Sequence, residues 1–410
     1  MIKSFWEEAK KSADAEFQRR PRAWLMYMSQ LASTMLRPFD EDAKVVWTTT
    51  PTFPMELLAA FDVAVFDYVF ACNIPSSTDP KGCADTMARA EAMGYSIDIC
   101  SANRLSLGCC FQGYLPRADL LVATSHFCDV IPKTNQIFAQ YYGKEAVTLD
   151  IPNEISQESV AYVSGQLQAI ARKLEEVSGQ RLDIDRLREC IRASNRARAA
   201  YGRLADLGKA KPFPWSGSRL FQLSLLGNAF SGTPFQEQLY QNIIDECQQR
   251  MAEGKVLPEE FRVLWLAWVP IQPTNIDEIF RANKVSMVTT ELARVYWDEI
   301  DEKHPFDGLA LRCLQSPYVG SIEQRLTGVL QLAEEYEIDG AIHFSHLGCR
   351  HANAPFHLIE DALAKKGIPL LVLDGDTVDM RAYSAERTRL LLESFIELMA
   401  ASRQASNYAI

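Results

Sequence analysis

Apolar runs of strand length alternate with segments of helical periodicity in two separate parts of the chain. In the first part, AKVVWTTT, DLLVATSH and AVTLDIP have the apolar, β-branched character of buried strands, and helical patterns such as PKGCADTMARAEAMG lie between them. The alternation returns in FRVLWLAWVP, VSMVTTELA, DGAIHFSHL and IPLLVLDGD. Strands that alternate with helices are typical of parallel sheets with helices on both faces. The pattern therefore predicts an α/β fold with two Rossmann-like parallel-sheet lobes.

The strand pattern is absent from two stretches of the chain. Residues 1–42 mix charged and aromatic residues in a helical pattern and are predicted to form a helical N-terminal arm. The first lobe then covers 43–154, a helical segment covers 155–258, and the second lobe covers 259–410. Within the helical segment, ESVAYVSGQLQAIARKLEEVSG and IDRLRECIRASNRARAAYGRLADL repeat apolar residues at helical spacing.

Composition and charge exclude several classes of protein. The chain has 410 residues, 48% hydrophobic and 23% charged, as in globular proteins. Its net charge of −11 disfavours a general role on nucleic acid. No stretch approaches the roughly 18 consecutive apolar residues of a membrane span. The N-terminal MIKSFWEEAKKSADAEF lacks the apolar centre of a signal peptide. We therefore expect a cytoplasmic protein that binds neither membrane nor nucleic acid.

Ten cysteines are many for a cytoplasmic chain, where thiols stay reduced and disulfides are rare. The sequence has no C-x-x-C, which disfavours zinc ribbons, thioredoxin-type pairs and ferredoxin-type cluster motifs. Two roles for the cysteines remain. Most of them are expected to be buried structural thiols, and the others are candidates for a metal site assembled from distant segments.

Two predicted strands, one in each lobe, end in the same way. One runs from Asp119 to Ser125-His126 and then Cys128, and the other runs from Asp339 to Ser345-His346 and then Cys349, with one extra residue. Parallel sheets bind ligands beyond the carboxyl ends of their strands. The repeat therefore predicts that both cysteines lie at equivalent strand ends and face one cleft between the lobes. The helical segment is expected to leave this cleft open. The alternative is chance, with two small buried thiols ending two strands.

A third thiol and the identity of the metal stay open at this point. Cys100, in DICSANR, is a candidate for the third thiol, as are Cys72, Cys109 and Cys110. Three cysteines with a histidine make a closed zinc site, whereas three thiolates alone leave one iron of a [4Fe–4S] cluster open to substrate. The spacing does not decide between these metals.

Hydroxyl and imidazole groups beside the two strand-end cysteines are the candidate catalytic residues. Ser125, His126 and His346 are predicted to act there as hydrogen-bond or proton donors. His351 and His357 are expected on a helix surface. The chain has no G-x-x-x-x-G-K-[ST] and no G-x-G-x-x-G, so no phosphate-binding loop is predicted.

The sequence resembles the 2-hydroxyacyl-CoA dehydratase and benzoyl-CoA reductase family. The segments that carry the resemblance, in their order along the chain, are WTTTPTFPMELLAAF, DICSANRLSLG, DLLVATSHFCD, DGAIHFSHLGCR and GIPLLVLDGDTVDMRAYSAERTRLLLESFIELM. They span both predicted lobes, roughly 43–150 and 260–400. The resemblance implies that Cys100, Cys128 and Cys349 bind one [4Fe–4S] cluster.

The resemblance also implies partners and a reaction. Members of the family pair with a related sister subunit and receive one low-potential electron from an ATP-hydrolysing iron–sulfur activator. In dehydratases the electron makes a ketyl radical of the 2-hydroxyacyl-CoA, which then loses hydroxide. In benzoyl-CoA reductases it enters an aromatic ring.

Three hypotheses follow from the sequence. The chain is a catalytic subunit whose open iron contacts the acyl-CoA substrate, with dehydration favoured over ring reduction. Alternatively, it is an electron-relay sister subunit without substrate chemistry of its own. The third hypothesis is a zinc-stabilised α/β scaffold that binds a ligand and transfers no electrons.

Overall fold

The computed structural model describes residues 1–49, 53–294, 298–316, 318 and 320–408. Within these ranges the chain folds into two parallel sheets surrounded by helices, which confirms the predicted fold class. None of the helices in this part of the chain combines the length and the hydropathy needed to cross a bilayer. Where one domain ends and the next begins stays a prediction.

A pair of helices opens the chain. Helix α1 spans Ile2–Arg19, helix α2 spans Ala23–Leu36, and the two pack against each other. Trp6 anchors the pair on the first lobe, because its ring is fully buried and its Nε1 donates to the backbone oxygen of Ala71 at 3.1 Å. The predicted arm is therefore part of the core packing.

The first lobe is a four-stranded parallel sheet of spatial order β2-β1-β3-β4. Its strands are β1 (Val45–Thr48), β2 (Ala64–Asp67), β3 (Leu120–Thr124) and β4 (Ala146–Leu149). The helices that connect them are α3 (Met55–Ala59), α4 (Tyr68–Asn73), α5 (Pro80–Ala92), α6 (Ser101–Phe111) and α7 (Val130–Tyr142). Both faces of β1 and β3 are buried, which explains why their sequences are continuously apolar.

The middle segment is helical, as predicted. It contains α8 (Gln157–Ser178), α9 (Ile184–Gly208), α10 (Gly217–Leu226) and α11 (Pro234–Ala252). Side-chain caps fix where the two longest of these helices begin. The Ser156 hydroxyl accepts from the backbone N–H of Ser159, and the Asp183 carboxylate accepts from those at the start of α9.

The second lobe repeats the topology of the first, with spatial order β6-β5-β7-β8 and all strands parallel. Its strands are β5 (Phe261–Ala267), β6 (Val285–Thr290), β7 (Gly340–His346) and β8 (Leu370–Gly375). Its helices are α12 (Ile276–Ala282), α13 (Pro305–Gln315), α14 (Ile322–Glu335), α15 (Arg350–Asn353), α16 (Phe356–Ala364) and α17 (Ala385–Tyr408). Strands β3 and β7 therefore hold equivalent places.

The aspartate that opens each repeated strand has the same structural role. Asp119 Oδ2 accepts from the backbone N–H of Val45 at 2.8 Å, and Asp339 Oδ2 accepts from that of Arg262, also at 2.8 Å. Each aspartate thus joins its strand to the first residues of the neighbouring strand. The repeat seen in the sequence is a repeat of structure, which argues against chance as its cause.

Candidate functional site

A cavity of about 100 Å³ lies where the two lobes meet. Its wall, called the cavity wall below, includes Cys100, Cys128 and Cys349, and so receives thiols from both lobes. Two of these cysteines follow the carboxyl ends of β3 and β7, the edge at which parallel sheets bind ligands. Phe221 and Leu225 of α10 also line the cavity. The helical segment therefore covers part of the cleft that the sequence suggested it would leave open.

The same backbone turn places Cys128 and Cys349. Phe127 and Gly348, the residues directly before them, both adopt the left-handed conformation, each with φ of 76°. After each cysteine the chain enters a helix, α7 in the first lobe and α15 in the second. A left-handed residue is costly for phenylalanine, so its presence indicates that this turn is imposed by the surrounding structure.

Gly348 brings the second lobe against the start of α6, where Cys100 lies. A Cβ atom built on Gly348 would lie 2.8 Å from the backbone nitrogen of Cys100 and 2.9 Å from the backbone oxygen of Asp98. Only a residue without a Cβ permits this approach without movement of the backbone. Gly348 therefore sets how closely the Cys349 turn approaches Cys100.

Backbone N–H groups point at all three sulfur atoms. The donors are those of Ala102 to Cys100, Val130 and Ile131 to Cys128, and Ala352 to Cys349. Each of these bonds lowers the pKa of its thiol, since it stabilises negative charge on sulfur. These bonds thus act in favour of thiolates at three converging helix starts.

Two side chains add N–H donors to the sulfurs. Trp268 Nε1 donates to Cys349 Sγ at 3.3 Å, and His346 Nε2 lies 3.2 Å from Cys100 Sγ. The backbone N–H of Thr377 points at His346 Nδ1 at 3.2 Å. Because Nδ1 accepts this bond, the imidazole hydrogen belongs on Nε2, and His346 donates it to Cys100.

Burial opposes the charged form of these thiols. Loss of water raises the pKa of Cys128 to about 11 and also raises the pKa values of Cys100 and Cys349. The three thiols are close enough that negative charge on one further disfavours negative charge on another. A cationic metal centre among them would reverse this balance, because metal binding removes the thiol proton.

A buried ion pair supports the turn that carries Cys349. Arg325 Nε and Nη2 donate to the two carboxylate oxygens of Glu291, both at 2.9 Å. The same guanidinium donates to the backbone oxygens of His351 at 3.1 Å and Ala352 at 3.3 Å. Arg325 therefore ties the helix after Cys349 to a carboxylate at the end of β6.

The other two candidate catalytic residues lie outside the cavity wall. Ser125 Oγ donates to Asp150 Oδ1 at 2.6 Å and accepts from the backbone N–H of Ile151 at 3.0 Å, so it joins the chain just after β3 to the chain just after β4. His126 is buried, and loss of water lowers its pKa to about 3. Neither of its ring nitrogens has a hydrogen-bond partner among the described residues. The geometry lends no support to a catalytic role for either residue, and that role stays a prediction.

The two histidines expected on a helix surface differ. His357 is exposed, as predicted, but His351 is half-buried and belongs to the cavity wall. Its Nε2 lies 2.6 Å from the backbone oxygen of Tyr318, and its ring stacks near Phe127. The expectation for His351 was wrong because aromatic neighbours from both lobes cover it.

Of the remaining thiols, Cys72, Cys109 and Cys110 are fully buried in the apolar core of the first lobe. They are not part of the cavity wall. All ten cysteines are free thiols in the structure. Over the described ranges, no three His, Cys, Asp or Glu side chains stand at the spacing of a site for one metal ion.

Trp268 is a residue of the cavity wall that sequence reasoning missed. It directly follows β5, whose carboxyl end lies at the same edge of the sheet as that of β7. That position was the available signal, since residues beyond strand ends at this edge contact ligands.

Fold and site together define a class of protein with two α/β lobes of equal topology and a three-thiol cavity between them. The chain belongs to the family described as 2-hydroxyglutaryl-CoA dehydratase, D-component, whose model matches residues 51–399. This confirms the resemblance seen in the sequence.

Characterised relatives cover nearly the whole chain at low identity. The chain is 25% identical to the (R)-phenyllactyl-CoA dehydratase alpha subunit of Clostridium sporogenes, over 88% of this chain and 91% of the relative. It is 22% identical to the lactoyl-CoA dehydratase alpha subunit of Anaerotignum propionicum, over 93% and 98%. It is also 25% identical to one of the subunits of the benzoyl-CoA reductase of Thauera aromatica, over 89% and 91%.

Proposed function

We propose that this chain is a subunit of a 2-hydroxyacyl-CoA dehydratase and holds one [4Fe–4S] cluster on Cys100, Cys128 and Cys349. The observation that carries the proposal is the convergence of these three thiols, from two lobes, on one cavity. Membership of the family and the dehydratase relatives support the reaction class.

The residues present fit such a cluster. Thiolates are its usual ligands, and each of the three sulfurs already accepts N–H bonds of the kind that stabilise cluster-bound sulfur. A cluster is larger than one ion, so its ligands stand farther apart than those of a single zinc. Three protein ligands also leave one iron free to bind a substrate oxygen.

The bound cluster would supply an open Lewis-acidic iron and a store for one electron. The chain's own residues have other tasks. His346 and Trp268 orient two of the sulfurs through their N–H groups. Phe70, Phe221 and the other apolar residues of the cavity wall exclude water, which would otherwise react with or protonate a radical of the substrate.

Electron supply belongs to partners in this proposal. An ATP-hydrolysing iron–sulfur activator delivers one electron, which converts the 2-hydroxyacyl thioester to a ketyl radical that expels hydroxide. Loss of the C3 proton and return of the electron then give the 2-enoyl-CoA. A related sister subunit completes the enzyme. The absence of a phosphate-binding loop from the sequence is consistent with ATP hydrolysis by another chain.

One alternative has support from the comparisons. The benzoyl-CoA reductase relative is as similar to the chain as the phenyllactyl-CoA dehydratase relative is. A ring reductase would use the same three thiols and the same kind of cavity. The product distinguishes the two reactions, since dehydration of a 2-hydroxyacyl-CoA gives a 2-enoyl-CoA and ring reduction gives a cyclic diene.

The test begins with the chain purified anaerobically together with its sister subunit. Iron and acid-labile sulfide are measured, and the reduced protein is followed by EPR while 2-hydroxyacyl-CoA is added. We expect bound iron and sulfide, and an EPR signal that changes with substrate. A cluster EPR signal that does not change when substrate is added would instead identify an electron-relay subunit. Bound zinc without sulfide would contradict the proposal.

A further inference from the structure

We infer that the acyl group accepted by this site is apolar, with an aliphatic or aromatic side chain and no second carboxylate. The inference rests on the proposed function and narrows its substrate class. It is drawn from the charge and polarity of the cavity wall around the three cysteines, and not from the cysteines themselves.

Apolar side chains make up most of the cavity wall beside the thiols. They come from four separate parts of the fold, namely Phe70, Ile74, Ile131, Phe221, Leu225 and Val269. A surface of this kind binds a hydrocarbon group because contact between the two removes apolar surface from water.

The uncharged polar groups of the wall are few and partly committed. The Asn73 amide nitrogen donates to the backbone oxygens of Val69 and Ala102. His346 bonds Cys100 and the backbone of Thr377. His351 Nε2 lies 2.6 Å from the backbone oxygen of Tyr318.

The wall contains one carboxylate and one guanidinium, and they neutralise each other. Arg350 Nη2 forms an ion pair with Asp129 Oδ2 across the two lobes, at the rim, where both side chains are mostly exposed. A substrate carboxylate inside the cavity would therefore meet no unpaired cation on the described wall. Thr50, Pro51 and Thr52, which follow Thr49 of the wall in sequence and lie outside the described ranges, carry no positive charge either.

An ionised carboxylate transferred from water into such a cavity loses its hydration and meets no unpaired lysine or arginine on the described wall. The penalty for an unpaired buried charge is several kcal/mol, which corresponds to at least about a hundredfold loss in kcat/KM relative to an apolar side chain of similar length.

The experiment compares acyl groups in the complete enzyme, with sister subunit and activator present. The substrates are 2-hydroxyisocaproyl-CoA and phenyllactyl-CoA, which have isobutyl and benzyl side chains, against 2-hydroxyglutaryl-CoA, which has a carboxyethyl side chain. We expect kcat/KM for both apolar substrates to exceed that for 2-hydroxyglutaryl-CoA by at least about 100-fold. Equal or better use of 2-hydroxyglutaryl-CoA would overturn the inference and leave the dehydratase proposal standing.

Binding measurements test the preference for apolar acyl groups even where no substrate is turned over. Isocaproyl-CoA and glutaryl-CoA lack the hydroxyl group and do not react, and calorimetry with the anaerobic complex measures their affinities. We expect tighter binding of isocaproyl-CoA by a similar factor. Equal affinities or tighter binding of glutaryl-CoA would overturn the inference, whereas absent turnover of every substrate would count against the proposed function alone.

Arg350 carries the one guanidinium on the described wall, and it would receive a second carboxylate only by leaving Asp129. Arg350→Gln tests this, with Arg387→Gln as the matched control, because Arg387 is also exposed and pairs with an aspartate, Asp374, outside the cavity wall. We expect both variants to keep the wild-type preference. Selective loss of 2-hydroxyglutaryl-CoA binding in Arg350→Gln would show that Arg350 receives a carboxylate, and the inference would fail.

Discussion

Replacement of Gly348 by alanine should separate Cys349 from Cys100. Two costs add in this variant. The left-handed conformation at φ of 76° costs an alanine about 1–2 kcal/mol. The new Cβ would also lie within 2.8–3.0 Å of backbone atoms of Cys100 and Asp98, which have to move. Overpacking of this kind costs about 1–3 kcal/mol more. We therefore expect the free energy of unfolding to fall by about 2–5 kcal/mol.

The matched control is Gly367→Ala. Gly367 also has positive φ, 73°, but a Cβ built there meets nothing within 4 Å. The free energy of unfolding of this variant should fall only by the conformational cost of the left-handed residue. Anaerobic urea unfolding gives the two free energies, and iron per chain after reconstitution gives cluster retention. We expect Gly348→Ala to lose most of its iron and Gly367→Ala to keep it. Equal stability and equal iron in the two variants would refute the claim that Gly348 sets the approach of the thiols.

Further predictions concern the groups around the site. Trp268→Phe keeps an aromatic ring but removes an N–H donor to sulfur, so EPR-monitored titration should give a more negative cluster reduction potential; an unchanged potential would argue against the hydrogen bond. Arg325→Met leaves the buried Glu291 carboxylate unpaired and should lower the free energy of unfolding by about 3–5 kcal/mol, with part of the loss recovered by adding Glu291→Gln. The Arg381 hydrogen bond lowers the pKa of Glu91 below its ordinary 4.5, so stability from this contact between the lobes should be lost as pH falls below about 4.5. In Arg381→Met this acid-dependent loss should be smaller, and an unchanged pH profile would contradict the assignment.

The strand and helix pattern of the sequence predicted most of the fold, because buried parallel strands are continuously apolar and long helices have a clear period. It missed β2, whose four residues give no period that separates a strand from a buried helix turn. It also missed α6, which begins directly after Cys100. Short elements of this kind are defined by their tertiary contacts.

The candidate site was predictable where local sequence determines geometry. Cys128 and Cys349 follow equivalent strands, and the aspartate-to-cysteine repeat showed this directly. The position of Trp268 directly after β5 was a usable signal, but its contact with Cys349 and the role of Gly348 were not predictable, since each depends on an approach between segments far apart in sequence. The partners of Ser125 were not predictable for the same reason. Its hydroxyl hydrogen-bonds Asp150 and Ile151, which follow β4.

The central claim is that three cysteines from two lobes hold one iron–sulfur cluster. It is tested most directly by iron and acid-labile sulfide in anaerobically reconstituted Cys100→Ser, Cys128→Ser and Cys349→Ser, each purified with the sister subunit. Cys190→Ser and Cys247→Ser are the controls, since both thiols are buried in helices α9 and α11 and lie outside the cavity wall. We predict that each of the first three variants loses most of its iron and sulfide, while the controls keep both. Full retention of iron and sulfide in Cys349→Ser would contradict the account.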